Sequence, residues 1–506
     1  MSDEVFSPKF EDLMQLSSIG LNNSLSFWSD IHNPSNLEYL IAKANSFVNQ
    51  KRFVDAIQLI ESVKPENITN EQAKITFYEV LLESYYELNK FDMISGILNS
   101  QQFNEIEKSL KLNILAGKCY LRIDQTQGMG NGAFPFFFTA YSQFPYSIDI
   151  IDYLIALGFT DFQEYPGNDL FNQYVEARKN IYFCKYKAAK DILFELDKKF
   201  PKCRPILVQL CICCHMMKDD RGLELFVSQL PWNELEIIDL RADFLKSQGK
   251  EEELSNLVVD ALNYNPQSAN AWLAFSHLQE MKRDSNRALH ITSHAINLDP
   301  KSYRAYFRQG ELRFSKGDIN SVKKAKESFL KAHQIHAEIY TYDALVHCEM
   351  FIGNTEAATV LSLEACQKFS DKNTPEGSMA LTILAIAQGR VKPNESLELL
   401  RTALKCDGEN MEALGRLVDC HCESQQFEMA IQLLQEFSDC KSIFFIYYKF
   451  AEVYTYMKQY EKALEYIDKA LSLRPNNDRA TELKSHIIQM IELNEEDDVG
   501  GARFIL

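Results

Sequence analysis

The sequence predicts an all-α fold, an α-solenoid superhelix of about twelve helix–turn–helix repeats of roughly 34 residues each. Three observations predict it. A ladder of mostly small residues, Ala463, Ala430, Ser396, Ala358, Ala325, Ala288, Leu254, Gly222 and Ala189, advances in steps of 32 to 38. Seven residues beyond many of its rungs a second alanine follows, at Ala470, Ala403, Ala365, Ala332, Ala295 and Ala261. Prolines Pro201, Pro266, Pro300 and Pro475 close several repeats. A small side chain lets two crossing helices approach, and a proline ends one helix while setting up the next turn.

The last repeat carries the pattern most fully. Within Phe444 to Asn477 stand Tyr447, Ala451, Tyr454, Ala463, Ala470 and Pro475. This order of large, small, aromatic, small, small and proline resembles the tetratricopeptide repeat (TPR). One such repeat cannot bury its apolar face alone, so it implies neighbours.

Composition agrees. Of 506 residues, 46% are apolar and 25% charged, as in globular chains and unlike disordered ones. The net charge of −18 disfavours nucleic acid and anionic membrane surfaces as partners. The basic stretch Arg178 to Arg204 alternates with apolar residues at helical spacing and reads as a solvated helix face. No apolar run approaches the roughly 18 residues of a membrane span, and the aromatic stretch Phe134 to Phe144 is broken by Pro135, Thr139, Ser142 and Gln143. The polar, acidic opening Met1 to Phe10 does not read as a signal peptide, which predicts a reducing compartment for the 12 cysteines.

In chain order, residues 1–36 read as N-terminal helices, with Trp28 in the segment Glu11 to Ile31 and Asn33-Pro34 closing it. Residues 37–168 form an N-terminal array: Ala44, Phe47, Phe53, Ala56 and Ile60 mark one repeat, Tyr85, Tyr86, Phe91 and Leu98 the next. Gly117, Tyr120, Ala133, Phe137, Ala140 and Pro145 mark a third with a widened turn. An extra helix, Ser147 to Leu157, and Pro166-Gly167 set a joint. Residues 169–477 are the C-terminal superhelix, 478–493 a capping helix and 494–506 an acidic, disordered tail.

No catalytic, cofactor-binding or metal-ligating set stands out. Gly128 to Gly132 lacks the preceding strand and the following Gly-Lys-Ser/Thr of a phosphate loop, and reads as a turn. Cys211, Cys213, Cys214 and His215, like Cys420, His421 and Cys422, lie on single helices and point in divergent directions, so they read as structural. His290 and His294 sit four apart, but Ile291 stands where a hydrolytic zinc helix needs glutamate.

A binding surface remains. In a TPR superhelix the first helix of each repeat lines the concave face at positions two, five, nine and twelve. These positions give Asn270, Leu273, His277 and Glu280, then Arg304, Phe307, Glu311 and Phe314, then Tyr340, Asp343, His347 and Met350. Such a groove suits an extended peptide, with Arg304 as an anion handle; the bland alternative is a face open to solvent or a neighbouring subunit. The lysine–asparagine clamp of co-chaperones is absent from the pairs Leu273/His277, Phe307/Glu311, Asp343/His347, Leu381/Ala385 and Tyr448/Glu452.

The chain as a whole resembles the TPR subunits of the anaphase-promoting complex (cyclosome), a cell-cycle ubiquitin ligase, and among them the subunit seven type. The resemblance rests on Ser17-Ser18-Ile19-Gly20-Leu21 through Asn33-Pro34. It rests also on Asn270-Ala271-Trp272 to Ala295-Ile296-Asn297-Leu298, and on Tyr460-Glu461-Lys462-Ala463 to Pro475-Asn476. It implies a non-catalytic scaffold of cell division and mitosis. Such a subunit forms homodimers through its N-terminal array and docks other TPR subunits and small helical subunits, in nucleus and cytoplasm. Trp28 is then a candidate dimer contact, as are Phe47, Tyr85 and Tyr86, of which core packing also claims Phe47 and Tyr85. Two readings compete: a TPR adaptor of another assembly, such as cargo export or RNA processing, and a helical prenyl or glycosyl transferase.

Overall fold

A computed structural model describes residues 9–18, 37–61, 63–127, 132–162, 169–371, 374–389, 391–438, 443–474 and 477–502. Trp28, Gly128 to Asn131, Pro166-Gly167 and Pro475 lie outside them. Among the described residues every regular element is a helix. The chain divides into two compact segments, residues 1–175 and 176–506.

The first segment opens with the helix Phe10–Ser18. Three helix pairs follow: Leu37–Asn49 with Phe53–Ile60, Glu71–Glu87 with Phe91–Leu98, and Leu110–Gln127 with Phe134–Gln143. The extra helix is Ile148–Ala156. One core runs through these pairs, with Leu13, Ile41, Ile60, Leu82, Ile94, Leu98, Phe103 and Leu112 all below 2% exposure. Tyr85 is buried in that core, whereas Phe47 and Tyr86 pack at its edge. Arg52 sits 4.5 Å over the Phe47 ring.

The second segment continues the scheme. Its pairs are Asp169–Tyr182 (which begins within the first segment) with Tyr186–Lys199, Arg204–Met216 with Asp220–Val227, and Ile238–Ser247 with Glu251–Tyr264. Next come Ala269–Met281 with Ser285–Leu298, Tyr303–Phe314 with Ile319–Ile335, and Ile339–Ile352 with Thr355–Lys368. The last three are Pro375–Gln388 with Pro393–Cys406, Met411–Glu423 with Phe427–Glu436, and Ile443–Tyr456 with Tyr460–Leu473. The closing helix, Asp478–Ala502, runs past Leu493 into the stretch whose sequence reads as a disordered tail.

The small-residue ladder lies where the helices of a repeat cross. Ala189, Leu254, Ala288, Ala325, Ala358, Ala430 and Ala463 have no exposed surface, and neither do Ala261, Ala295, Ala332, Ala365, Ala403 and Ala470. Around them sit the larger apolar groups, such as Val322, Phe329, Leu345 and Cys348 in one repeat. Gly310 shows how tight the approach is: a Cβ there would lie 2.5 Å from the buried Phe329 ring.

Most first helices end in the same way. One residue in the turn takes a left-handed conformation: Lys51, Asn89, Cys184, Lys218, Gly249, Arg283, Gly317, Gly353, Gln425 or Lys458. In most of these turns the next N–H reaches back five residues, as Lys90 to Tyr85 O at 3.0 Å, Asp284 to Gln279 O at 2.9 Å and Gln459 to Tyr454 O at 2.9 Å. This bond satisfies a carbonyl that the helix end leaves free. Starts are capped as regularly, by Asn70, Asp219, Ser268, Asp284, Ser302, Asp318, Thr374 and Asn410. Each cap side chain accepts from an N–H three residues on.

Two glycine substitutions separate these constraints. Gly317 has φ +72° with open space around its absent Cβ, so Gly317→Ala should cost about 1 kcal/mol through backbone strain alone. Gly310→Ala meets the fixed Phe329 ring and should cost about 1–3 kcal/mol by overpacking. Urea midpoints of the two variants against the parent protein check both, with Gly310→Ala expected to fall further.

Candidate functional site

The predicted concave residues come from three consecutive first helices, Ala269–Met281, Tyr303–Phe314 and Ile339–Ile352. Two of them serve the core. Leu273 is 2% exposed and packs with Ala295 and Ala305. Phe307 meets Phe329 edge-on, ring centroids 5.2 Å apart. Asn270 ties its own repeat to the one before, its amide donating to Leu235 O at 3.1 Å and Glu236 O at 3.4 Å.

Phe314 packs at the edge of a core as well, and most of the remaining residues belong to polar clusters. Arg304 donates to both Asp239 carboxylate oxygens, at 3.1 and 3.2 Å, and to Glu236 O at 3.3 Å. Burial opposes its charge, but Asp239, itself nearly inaccessible, outweighs it and keeps the guanidinium protonated. The anion handle expected from the sequence is therefore already engaged by the chain's own carboxylate.

A second cluster spans the helices Ile238–Ser247, Ala269–Met281 and Tyr303–Phe314. Lys246 bridges Asp243 at 3.3 Å and Glu280 at 2.8 Å. Arg308 pairs with Glu280 and, at 3.3 Å, with Glu311. His277 Nδ1 lies 3.3 Å from Asp243 Oδ1. Burial and the Arg308 charge hold the His277 imidazole well below its ordinary value, so it stays neutral. Burial alone would raise the Asp243 carboxyl, but the surrounding cations hold it below the usual range. Desolvation raises the Glu311 carboxyl against the pull of Arg308, although its side chain is about half exposed.

Tyr340 donates its hydroxyl to Met216 O, and Lys218 lies 5.5 Å over its ring. Farther along, His347 Nε2 stands 3.4 Å from Asp343 Oδ1. That hydrogen bond raises the His347 pKa, against a smaller effect of burial.

The sequence reading missed Asp239, Asp243, Lys246, Arg308, Glu338 and Glu376. Two signals could have found some of them. Asp239 and Asp243 are four apart on one helix, Arg304 and Arg308 four apart on another, which are complementary stripes. Arg304, Tyr340 and Glu376 also occupy the same second position of three successive first helices.

The cysteine and histidine clusters do not converge. Cys211, Cys213 and Cys214 are buried, and burial raises their thiols. His294 packs edge-on against Trp272 at 4.4 Å. Among the described residues no three His, Cys, Asp or Glu side chains are placed to hold a metal ion. No helix among them is long and apolar enough to cross a membrane.

Comparison with known proteins gives this architecture its relatives. The tetratricopeptide repeat family matches residues 444–477. The chain is 23% identical to anaphase-promoting complex subunit 7 of Arabidopsis thaliana over 74% of its own length and 69% of the relative's. It is 22% identical to the subunit of the same name from Dictyostelium discoideum, over 48% of this chain and 41% of that one. The solved hetero-tetramer of the anaphase-promoting complex, Cut9–Hcn1, superposes with a TM-score of 0.62 at 14% identity, covering 95% of this chain and 97% of that one. That structure shares the fold. The chain is a homologue of the TPR subunits of the anaphase-promoting complex.

The Asp343–His347 pair offers a pH test. A histidine whose pKa is raised by folding adds stability that is fully present below the unfolded value of about 6.5 and is lost as pH rises through the folded value. Asp343→Asn should therefore destabilise more at pH 6 than at pH 8.5. Histidine NMR titration should show His347 shifted down in the variant.

Proposed function

We propose that this chain is a non-catalytic scaffold subunit of the anaphase-promoting complex, working in nucleus and cytoplasm. The observation that carries the reading is the match to subunit 7 over 74% of the chain, beside a fold built of successive helix pairs among the described residues. A solenoid offers a long surface on which many partners can be arranged. Ubiquitin transfer then falls to other subunits, and this chain supplies position.

Two arrays divide the task. Residues 37–168 pair with a second copy of the chain, and residues 169–477 hold neighbouring TPR subunits and small helical subunits. An aromatic face on the first array supports the pairing. Phe134, Phe138, Phe159 and Phe162 touch in a chain of rings 4.9 to 5.9 Å apart, and Phe138, Phe144 and Tyr146 are 41, 50 and 53% exposed. A two-fold contact would bury the same patch on both copies. In the second array Asn270, Leu273, His277, Arg304, Phe307, Glu311 and Tyr340 chiefly set the spacing of repeats. Asp343 and His347 remain partly accessible, at 27 and 30% exposure, and available to a partner.

Purification of the tagged full-length protein from cycling cells, with mass spectrometry of what accompanies it, tests the assignment. Cullin-like, RING and other TPR subunits should be recovered in stable proportion; a different stable set would move the array to another assembly. Light scattering of the purified 58.3 kDa chain should give twice that mass. A monomer at micromolar concentration would remove the pairing.

A further inference from the structure

We propose that the second segment keeps part of its inner face shut with a side-chain latch between non-adjacent repeats, a seam that opens and closes as one. The proposal stands apart from the assembly to which the chain belongs.

In a solenoid each repeat touches only its neighbours. Beside the Arg474–Asp220 ion pair at 3.5 Å, three hydrogen bonds here break that rule along one line. Arg304 holds Asp239, 65 residues away; Tyr340 holds Met216 O, 124 away; and Tyr186 N–H donates to Glu376 Oε1 at 3.3 Å, 190 away. They follow an order. Arg304, Tyr340 and Glu376 are each the second residue of the helices Tyr303–Phe314, Ile339–Ile352 and Pro375–Gln388. Their partners run backwards through the chain, from Asp239 to Met216 to Tyr186. The two lips of the seam are therefore antiparallel, each later repeat meeting an earlier one.

The seam is packed. Tyr186 is 2% exposed, Glu338 3%, Asp239 4% and Glu376 6%. The His336 ring lies between Tyr182, at 5.7 Å, and Tyr303, at 5.3 Å, and its Nε2 is 3.2 Å from Glu338 Oε1. Three carboxylates out of water are costly unless each is held by a donor, so their burial here depends on the lips staying together. Yet what joins the lips is a handful of side chains, whereas neighbouring repeats share whole helix faces. A small interface of this kind yields before the repeats themselves do.

A native reporter sits behind the seam. Cys184 is 1% exposed, in the turn just before Tyr186, among the carboxylates of Glu338 and Glu376. Cys348 is equally inaccessible but lies in the core of one repeat, with Val322, Phe329 and Leu345. Burial pushes both thiols up to about 12, so their reactivities differ by access rather than by ionisation.

The experiment is pulsed alkylation of the full-length native protein, read as the labelling rate of each cysteine-containing peptide. Arg304→Ala, Tyr340→Phe and Glu376→Ala each remove one seam contact. Each should speed Cys184 labelling by about tenfold or more while Cys348 stays at its parental rate. Glu376→Gln keeps an oxygen acceptor for Tyr186 N–H and should stay near the parent. If Arg304→Ala leaves Cys184 protected while Glu376→Ala exposes it, the contacts open separately and the single latch is wrong. Unchanged Cys184 in all three variants, or Cys184 and Cys348 rising together, would also overturn it; the second result would make these residues ordinary supports of the fold.

Discussion

The close crossing of two helices over an alanine is the constraint on which the rest of this structure depends. Ala288 and Ala295, or Ala463 and Ala470, have no exposed surface because the partner helix lies directly on them. That approach fixes where the larger groups go: Phe329 fills the space left by Gly310, and Ile467 and Ile487 close the last repeat against the terminal helix. It also fixes the turn. Two helices that touch so closely must be joined by a short reversal, and a single left-handed residue provides it. The array tolerates lysine, arginine or glutamine at that residue because the backbone bond it completes offsets the strain of positive φ.

This regularity made most of the fold legible. The ladder from Ala189 to Ala463 marks the inner position of second helices, and every rung is at least partly shielded in the structure. What the pattern cannot carry is contact between distant repeats. Position two of a first helix was expected to face a groove, and Arg304 duly occurs there; that it meets Asp239 depends on how three successive helix pairs curve, which no local spacing encodes. The same holds for His277. On its own helix it is a groove histidine, but with Asp243 and Arg308 arriving from neighbours it becomes a buried, neutral member of an ion network. The end of the closing helix was also illegible. A run of acidic residues reads as a disordered tail, yet the helix continues through it to Ala502.

A polar inner face asks more of a protein than an apolar core. Lys246, Glu280 and Arg308 find opposite charges on neighbouring repeats, and Arg308 also holds Glu311 of its own helix, so the network specifies relative placement where apolar packing would allow sliding. Removing a carboxylate leaves the buried Arg308 short of a partner, which is why such clusters act as registers more than as sources of net stability. Alanine contacts then set the distance within a repeat, and charge pairs set the angle between repeats.

These two layers have different consequences for a scaffold. Nearest-neighbour packing alone would make the array a spring, each joint yielding a little and independently. The contacts Arg304–Asp239, Tyr340–Met216 and Tyr186–Glu376 tie joints several repeats apart to one another. A displacement at one repeat must then be shared by those between, or the seam must part. Binding energy delivered to an outer face of residues 303–388 can therefore reach residues 182–239 without any contact there, since the same side chains bound both lips. A subunit that holds several partners gains from this coupling, because the geometry offered to one partner then depends on whether another is in place.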